Sequence, residues 1–119
     1  MPLPAISAFA RDAVALVHSQ VPEALPVLFG HIGEGNLHFN VLRFPLDREQ
    51  ALYAEMMDLV AGCGGNVSSE HGVGTRKRPY LGMSREPADI AAMRTVKAAL
   101  DPTGYLNAAV LFSPEGQSP

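Results

Sequence analysis

An α+β fold, with helices packed on one face of an antiparallel sheet, is what the sequence predicts, and three observations predict it. Apolar residues recur at helical spacing in three segments, 5–19, 47–61 and 86–100. Two β-prone runs flank the Gly-rich stretch "GEGN", as the arms of a hairpin would. The resulting order, α-β-β-α-β-loop-α, is that of an α+β sandwich short of its first strand, with sheet edges left unpaired.

Each element has its own signal. In the first helix Ile6, Phe9, Ala13, Leu16 and Val17 fall on one face, and Pro22 stops the run. "LPVLFGHI" (25–32) and "NLHFNVLR" (36–43) are the hairpin arms. Asp47 followed by Gln50 resembles a capping box, opening a second helix whose inward face holds Leu52, Met56, Leu59 and Val60. "GCGG" (62–65) closes it, "NVSSE" (66–70) reads as a short third strand, and "HGVGTRKR" (71–78) reads as loop. The third helix has Pro87 in its first turn, turns Ile90, Met93, Val96 and Leu100 inward, and stops at Asp101-Pro102. "GYLNAAVLF" (104–112) is read as an extended tail and "SPEGQSP" (113–119) as disordered.

Composition narrows the function classes. At 119 residues, 47% of them apolar, the chain is expected to form one domain, residues 1–112, ahead of the tail. A net charge of −3 argues against nucleic acid or an anionic membrane as partner. No apolar run reaches the roughly 20 residues of a transmembrane helix. The first segment carries Arg11 and Asp12 and no basic leader, so it does not read as a signal peptide. Cys63 is the only cysteine, which excludes an internal disulfide, and a cytoplasmic location is expected.

The chemistry-bearing residues gather in two stretches. In "GHIGEGNLHFN" (30–40), a two-residue loop at Glu34-Gly35, or a four-residue loop over 33–36, pairs His31 with His38. Opposed residues share a face with Cβ atoms about 4.5–5.5 Å apart. Alternation adds Asn40 to that face and leaves Leu28, Ile32, Leu37, Phe39 and Val41 on the other. Two such imidazoles suit one divalent cation; a partly buried pair bonded to backbone or water fits the same spacing. In "SSEHGVG" (68–74), Glu70 would complete a two-histidine, one-carboxylate set of the kind that takes zinc, manganese or ferrous iron. On a regular strand His71 points away from Glu70, so both serve one site only if the backbone turns there, as Gly72 and Gly74 allow. A surface Glu-His pair at a strand end is the plainer alternative. His18 reads as a surface residue, Cys63 as a packing residue, and "TRKRP" (75–79) as an anion site or a solvated basic loop. There is no Walker motif and no G-x-G-x-x-G.

Taken in order, "GHIGEGNLHFNV", "SSEHGVGTRKR" and "VKAALDPTGYLN" resemble the C-terminal part of the FAD-linked oxidases. The resemblance runs from Leu25 to Asn107 and is narrower still to the D-2-hydroxyacid dehydrogenase branch: D-lactate dehydrogenase, the glycolate oxidase flavin subunit and D-2-hydroxyglutarate dehydrogenase. It implies a partial ferredoxin-like cap domain working with a separate flavin-binding domain, and oxidation of a small 2-hydroxy acid to a 2-oxo acid by hydride transfer to FAD. It further implies a divalent metal, usually zinc, on His31, His38 and Glu70, with His71 as catalytic base. Asn40 and Lys77 are then substrate-binding, and Asn107 lies toward substrate or the flavin cofactor. The chain departs from the pattern at Glu34, where relatives usually have Asp, and at "LNAAV", where many have "LNPGK". The expectation is a cap domain inactive by itself, with exposed sheet edges open to a homodimer. A competing reading is a non-catalytic metal-binding or dimerisation domain. A second, a non-haem iron oxygenase, asks for a double-stranded β-helix and more strands than this chain offers.

Overall fold

The structure, a computed structural model, describes residues 1–112, divided into two compact units, Met1–Asn66 and the residues from Val67 onward. The α+β class holds, with a single two-stranded antiparallel sheet among the described residues.

In the first unit, helix α1 (Ile6–Gln20) follows a 3-10 turn, Leu3–Ala5, and buries Ile6, Phe9, Ala13 and Val17, close to one residue per turn. His18 is exposed in its last turn, with Nε2 3.2 Å from the Ala24 carbonyl. Helix α2 (Glu49–Gly62) buries Leu52, Met56 and Met57 against α1, while Leu59 and Val60 are half-buried. The capping box does not form. A 3-10 turn, Leu46–Arg48, precedes α2, and its backbone bonds occupy the donors that an Asp47 cap would take. Arg48 instead donates to the Gln20 carbonyl at the end of α1, 3.1 Å, and Gln20 Nε2 donates to Glu55 of α2, 3.0 Å. Helix α2 ends as "GCGG" predicts. Gly65 N donates to Val60 O and Gly64 N to Ala61 O, the paired bonds of a Schellman cap.

Strands β1 (Leu25–Phe29) and β2 (His38–Leu42) are shorter than the predicted arms, and their register differs from the predicted one. Phe29, not His31, lies opposite His38, with Val27 opposite Asn40 and Leu25 opposite Leu42. The cause is the connection. A 3-10 turn, Ile32–Glu34, replaces the tight hairpin loop, and the His31 carbonyl accepts from both Glu34 N and Asn36 N. Gly30, at φ +145°, lets the chain enter this turn; a Cβ there would lie 2.5 Å from Asn36 O. The pairing therefore slips by two residues, which keeps His38 and Asn40 on one face because strands alternate with period two. That face is exposed and mostly apolar (Leu25, Val27, Phe29, Leu42), whereas Pro26, Leu28, Phe39 and Val41 are half-buried on the other.

In the second unit, the predicted strand over 66–70 is absent. The Ser68 hydroxyl bonds to nearby carbonyls and the chain bends, so no ladder partner is taken up among the described residues. A 3-10 segment, Arg78–Met83, leads toward helix α3 (Pro87–Leu100), which begins with proline as predicted. Its half-buried row is Ile90, Met93 and Lys97, and the expected inward positions Val96 and Leu100 are 57% and 77% exposed. The row ends on Lys97 because that side chain reaches down to Asp101, one turn on. The tail is not extended. It turns at Asn107 and Leu111, both at positive φ, and Phe112 is buried under the Arg94 guanidinium, 4.4 Å from the ring centroid. The predicted disordered tail, 113–119, lies outside the described residues.

Candidate functional site

In the first unit the predicted pair of opposed histidines is not formed. His31 is exposed and starts the 3-10 turn two residues beyond the end of β1. His38 opens β2, and its ring stacks on that of Phe29 across the ladder, 4.9 Å between centroids at 14°. Asn40 is exposed two residues further along the same strand, hence on the His38 face. The neighbours that register supplies to this face are apolar, so the expected concentrated polar surface reduces to His38 and Asn40.

The second unit meets the condition that the sequence sets for it. Glu70 and His71 come together, with Oε2 to Nε2 3.7 Å, because the backbone turns between them. The turn begins at His71 itself, which sits in the left-handed region at φ +63°, and continues through Gly72 at φ +74°. Glycine is at home there, whereas histidine is not. Arg43, Asn107 and Leu111 also have positive φ, so what sets His71 apart is the carboxylate beside it. His71 is 82% exposed along its side chain and Glu70 36%, so the pair faces solvent.

Further contacts organise the loop. The Ser68 hydroxyl lies 2.6 Å from Gly72 O and 3.1 Å from Glu70 O, spanning the turn. Lys77 Nζ donates to the same hydroxyl at 3.4 Å, which ties the lysine to the turn. The turn at Gly74, whose carbonyl accepts from Lys77 N and Arg78 N, brings that lysine round. Arg78 donates to Ala109 O at 2.7 Å and Leu111 N to Val73 O at 3.0 Å, so the segment that carries Asn107 is fastened to the loop that carries His71. "TRKRP" is thus neither purely solvated nor purely an anion site: Lys77 and Arg78 bond within the chain.

Two residues that hold this unit together escape the sequence pattern. Ser68 signals itself only as a hydroxyl two residues before Glu70, the spacing of a local side-chain-to-backbone turn. Asp101 reads in the sequence as no more than a helix stop. It is buried and accepts from Lys97 Nζ, from Tyr105 N at 2.9 Å and from Leu106 N at 3.0 Å, while Lys97 Nζ also donates to Leu106 O at 2.6 Å. The Lys97 bond, foremost, and the two backbone amides hold its carboxyl below the ordinary range.

The predicted metal donors divide between the units, His31 and His38 in the first and Glu70 in the second. Among the described residues no three His, Cys, Asp or Glu side chains form a group able to hold a metal. No described helix is long and apolar enough to cross a membrane.

The chain as a whole has recognisable relatives. Residues 1–111 match the family described as FAD linked oxidases, C-terminal domain. The chain is 38% identical over 115 residues to a D-2-hydroxyglutarate dehydrogenase of Stutzerimonas stutzeri, covering 91% of this chain and 25% of that protein. It is 40% identical over 116 residues to a D-2-hydroxyglutarate dehydrogenase of Xanthomonas citri pv. viticola, covering 91% and 24%. To glycolate oxidase subunit GlcD of Bacillus subtilis it is 36% identical over 94 residues, covering 75% and 20%. The chain spans about a quarter of the length of the D-2-hydroxyglutarate dehydrogenases it matches.

Proposed function

Because the chain belongs to the C-terminal domain family of the FAD linked oxidases, we propose that it supplies the substrate side of a flavin-dependent D-2-hydroxyacid dehydrogenase. The observation that carries this reading is the left-handed turn at His71, which sets its imidazole beside the Glu70 carboxylate, with Lys77 bonded to the Ser68 hydroxyl of the same turn.

FAD, if held by the flavin-binding domain that the family implies, would supply the acceptor for the C2 hydride of the hydroxy acid. The chain's own residues do the rest. The Lys77 ammonium binds the substrate carboxylate and sets which way the 2-hydroxyl points. The His71 imidazole, the side chain best suited to move a proton near neutral pH, takes the hydroxyl proton as the C2–H bond breaks. Glu70 beside it stabilises the imidazolium that results. Asn107, on the turn fastened to this loop, is assigned toward the flavin, and Asn40 toward the substrate.

The implied divalent metal would take His31, His38 and Glu70, an imidazole and carboxylate set of suitable chemistry. The described residues do not gather three such donors, so no step above is routed through it.

The test is a chimera in which this chain replaces the matching quarter of the Stutzerimonas relative. His71→Asn, which keeps a hydrogen-bonding group at the turn, is expected to lower kcat for D-2-hydroxyglutarate oxidation by about 100-fold or more. Lys77→Met is expected to act mainly on KM. Unchanged kcat in the His71 variant would remove the base assignment.

A further inference from the structure

One hydroxyl lies at the centre of the loop that carries three of the proposed site residues. Ser68 Oγ is 2.6 Å from the Gly72 carbonyl, 3.1 Å from the Glu70 carbonyl and 3.4 Å from Lys77 Nζ. A serine hydroxyl has a single donor and two acceptor lone pairs. The geometry uses both capacities without conflict: the O–H is shared between the two carbonyls, and an oxygen lone pair receives the ammonium. The two carbonyls bracket His71, so the hydroxyl closes the turn across the residue whose backbone is left-handed. Without such a closure His71 relaxes toward the extended region, where successive side chains point to opposite sides and Glu70 and His71 part.

We infer that Ser68 is the positioning residue of this site: its hydroxyl holds the left-handed turn that aligns Glu70 with His71, and it tethers Lys77 to that turn. Ser68 touches no substrate. It acts through the backbone of Glu70 and Gly72 and through the lysine. Hydroxyl chemistry, rather than small size, is what the position demands. The inference deepens the proposed function and rests on it for the roles of Glu70, His71 and Lys77.

The experiment uses the 119-residue chain and follows backbone chemical shifts, which report φ and ψ, with D-2-hydroxyglutarate as the titrated probe. In Ser68→Ala the His71 and Gly72 shifts are expected to move from left-handed toward extended values, while those of α1, β1 and β2 stay in place. Ser68→Thr, which retains the hydroxyl, is expected to restore the wild-type turn. Ser68→Cys, of similar volume with a weaker donor, is expected to open it in part, and it serves as the deciding variant if the alanine form does not fold. The acid is expected to shift Lys77 and His71 in the wild type, and with about tenfold lower affinity in Ser68→Ala, the scale on which orienting partners act. Wild-type His71 shifts in both Ser68→Ala and Ser68→Cys overturn the inference. An opened turn in Ser68→Ala, with no response of the wild type to the acid, upholds the positioning role and overturns the substrate reading instead.

Discussion

At His71 the backbone holds a conformation that costs a residue with a side chain about 1–2 kcal/mol. Glycine escapes that cost but forfeits about 0.5–1 kcal/mol through the extra freedom of its unfolded chain. The contact between the imidazole and the Glu70 carboxylate faces solvent, so removing it changes stability little. His71→Gly is therefore expected to raise the unfolding free energy by about 0.5–1 kcal/mol in urea denaturation, while removing the proposed base. A clear loss of stability would show that the imidazole itself holds the turn. The need for a turn between Glu70 and His71 is legible in the sequence, because adjacent residues on a strand diverge. Its starting point is not. Gly72 and Gly74 are the visible candidates, and Gly72 does take the left-handed conformation, but the turn begins one residue earlier, at His71, where the Ser68 hydroxyl closes it from three positions away. His31 and His38 fail to pair for a related reason. The shared face of His38 and Asn40 depends only on parity and is legible, whereas the opposite residue depends on a turn whose 3-10 form the "GEGN" composition does not reveal.

Elements with a strong period lie close to where the sequence predicts them, as α1, α2 and α3 show. The third strand, five residues with a hydroxyl able to bond its own backbone, does not form. Where α3 ends, side-chain chemistry takes over from periodicity. Asp101 gathers Lys97, Tyr105 N and Leu106 N around one carboxylate, satisfying the backbone of the turn beyond the helix and bending the tail. Its pKa is lowered in the folded chain, chiefly by the Lys97 hydrogen bond. The folded state thus binds the Asp101 proton less readily than the unfolded state, so this contribution is fully present above the ordinary carboxylate pKa and fades as pH falls through the folded value. Urea midpoints measured between neutral pH and pH 2 are expected to fall on the acid side below about pH 4. Asp101→Asn is expected to be less stable than wild type at neutral pH, and the gap is expected to narrow as acid is added. A gap that stays constant across the range would assign the residue's effect to shape alone.

Taken whole, the molecule distributes its proposed chemistry unequally. The first unit contributes two histidines and Asn40, while the second holds Glu70, His71, Lys77 and Asn107 on a loop and a turn fastened to each other. That division bears on metal and on turnover separately. Three donors are needed for a tight catalytic zinc site, and neither unit by itself provides three of the predicted ligands. Elemental analysis of the purified chain against His38→Ala tests the assignment directly: a lower zinc content in the variant supports His38 as a ligand, and equal content removes it. Turnover has a different requirement. Oxidising a 2-hydroxy acid needs an acceptor for the C2 hydride, and no amino-acid side chain in these 119 residues is one. Nor does the sequence hold a Gly-rich dinucleotide cradle to retain FAD. The 119-residue chain, given FAD and D-2-hydroxyglutarate, is therefore expected to keep less than stoichiometric flavin through gel filtration and to form no 2-oxoglutarate. Binding of the acid, followed by shifts at Lys77 and His71, is expected to survive in that same sample, because the two groups proposed to take its carboxylate and its hydroxyl lie within the second unit. Turnover with stoichiometric flavin would show that these residues hold the whole active site and not one side of it.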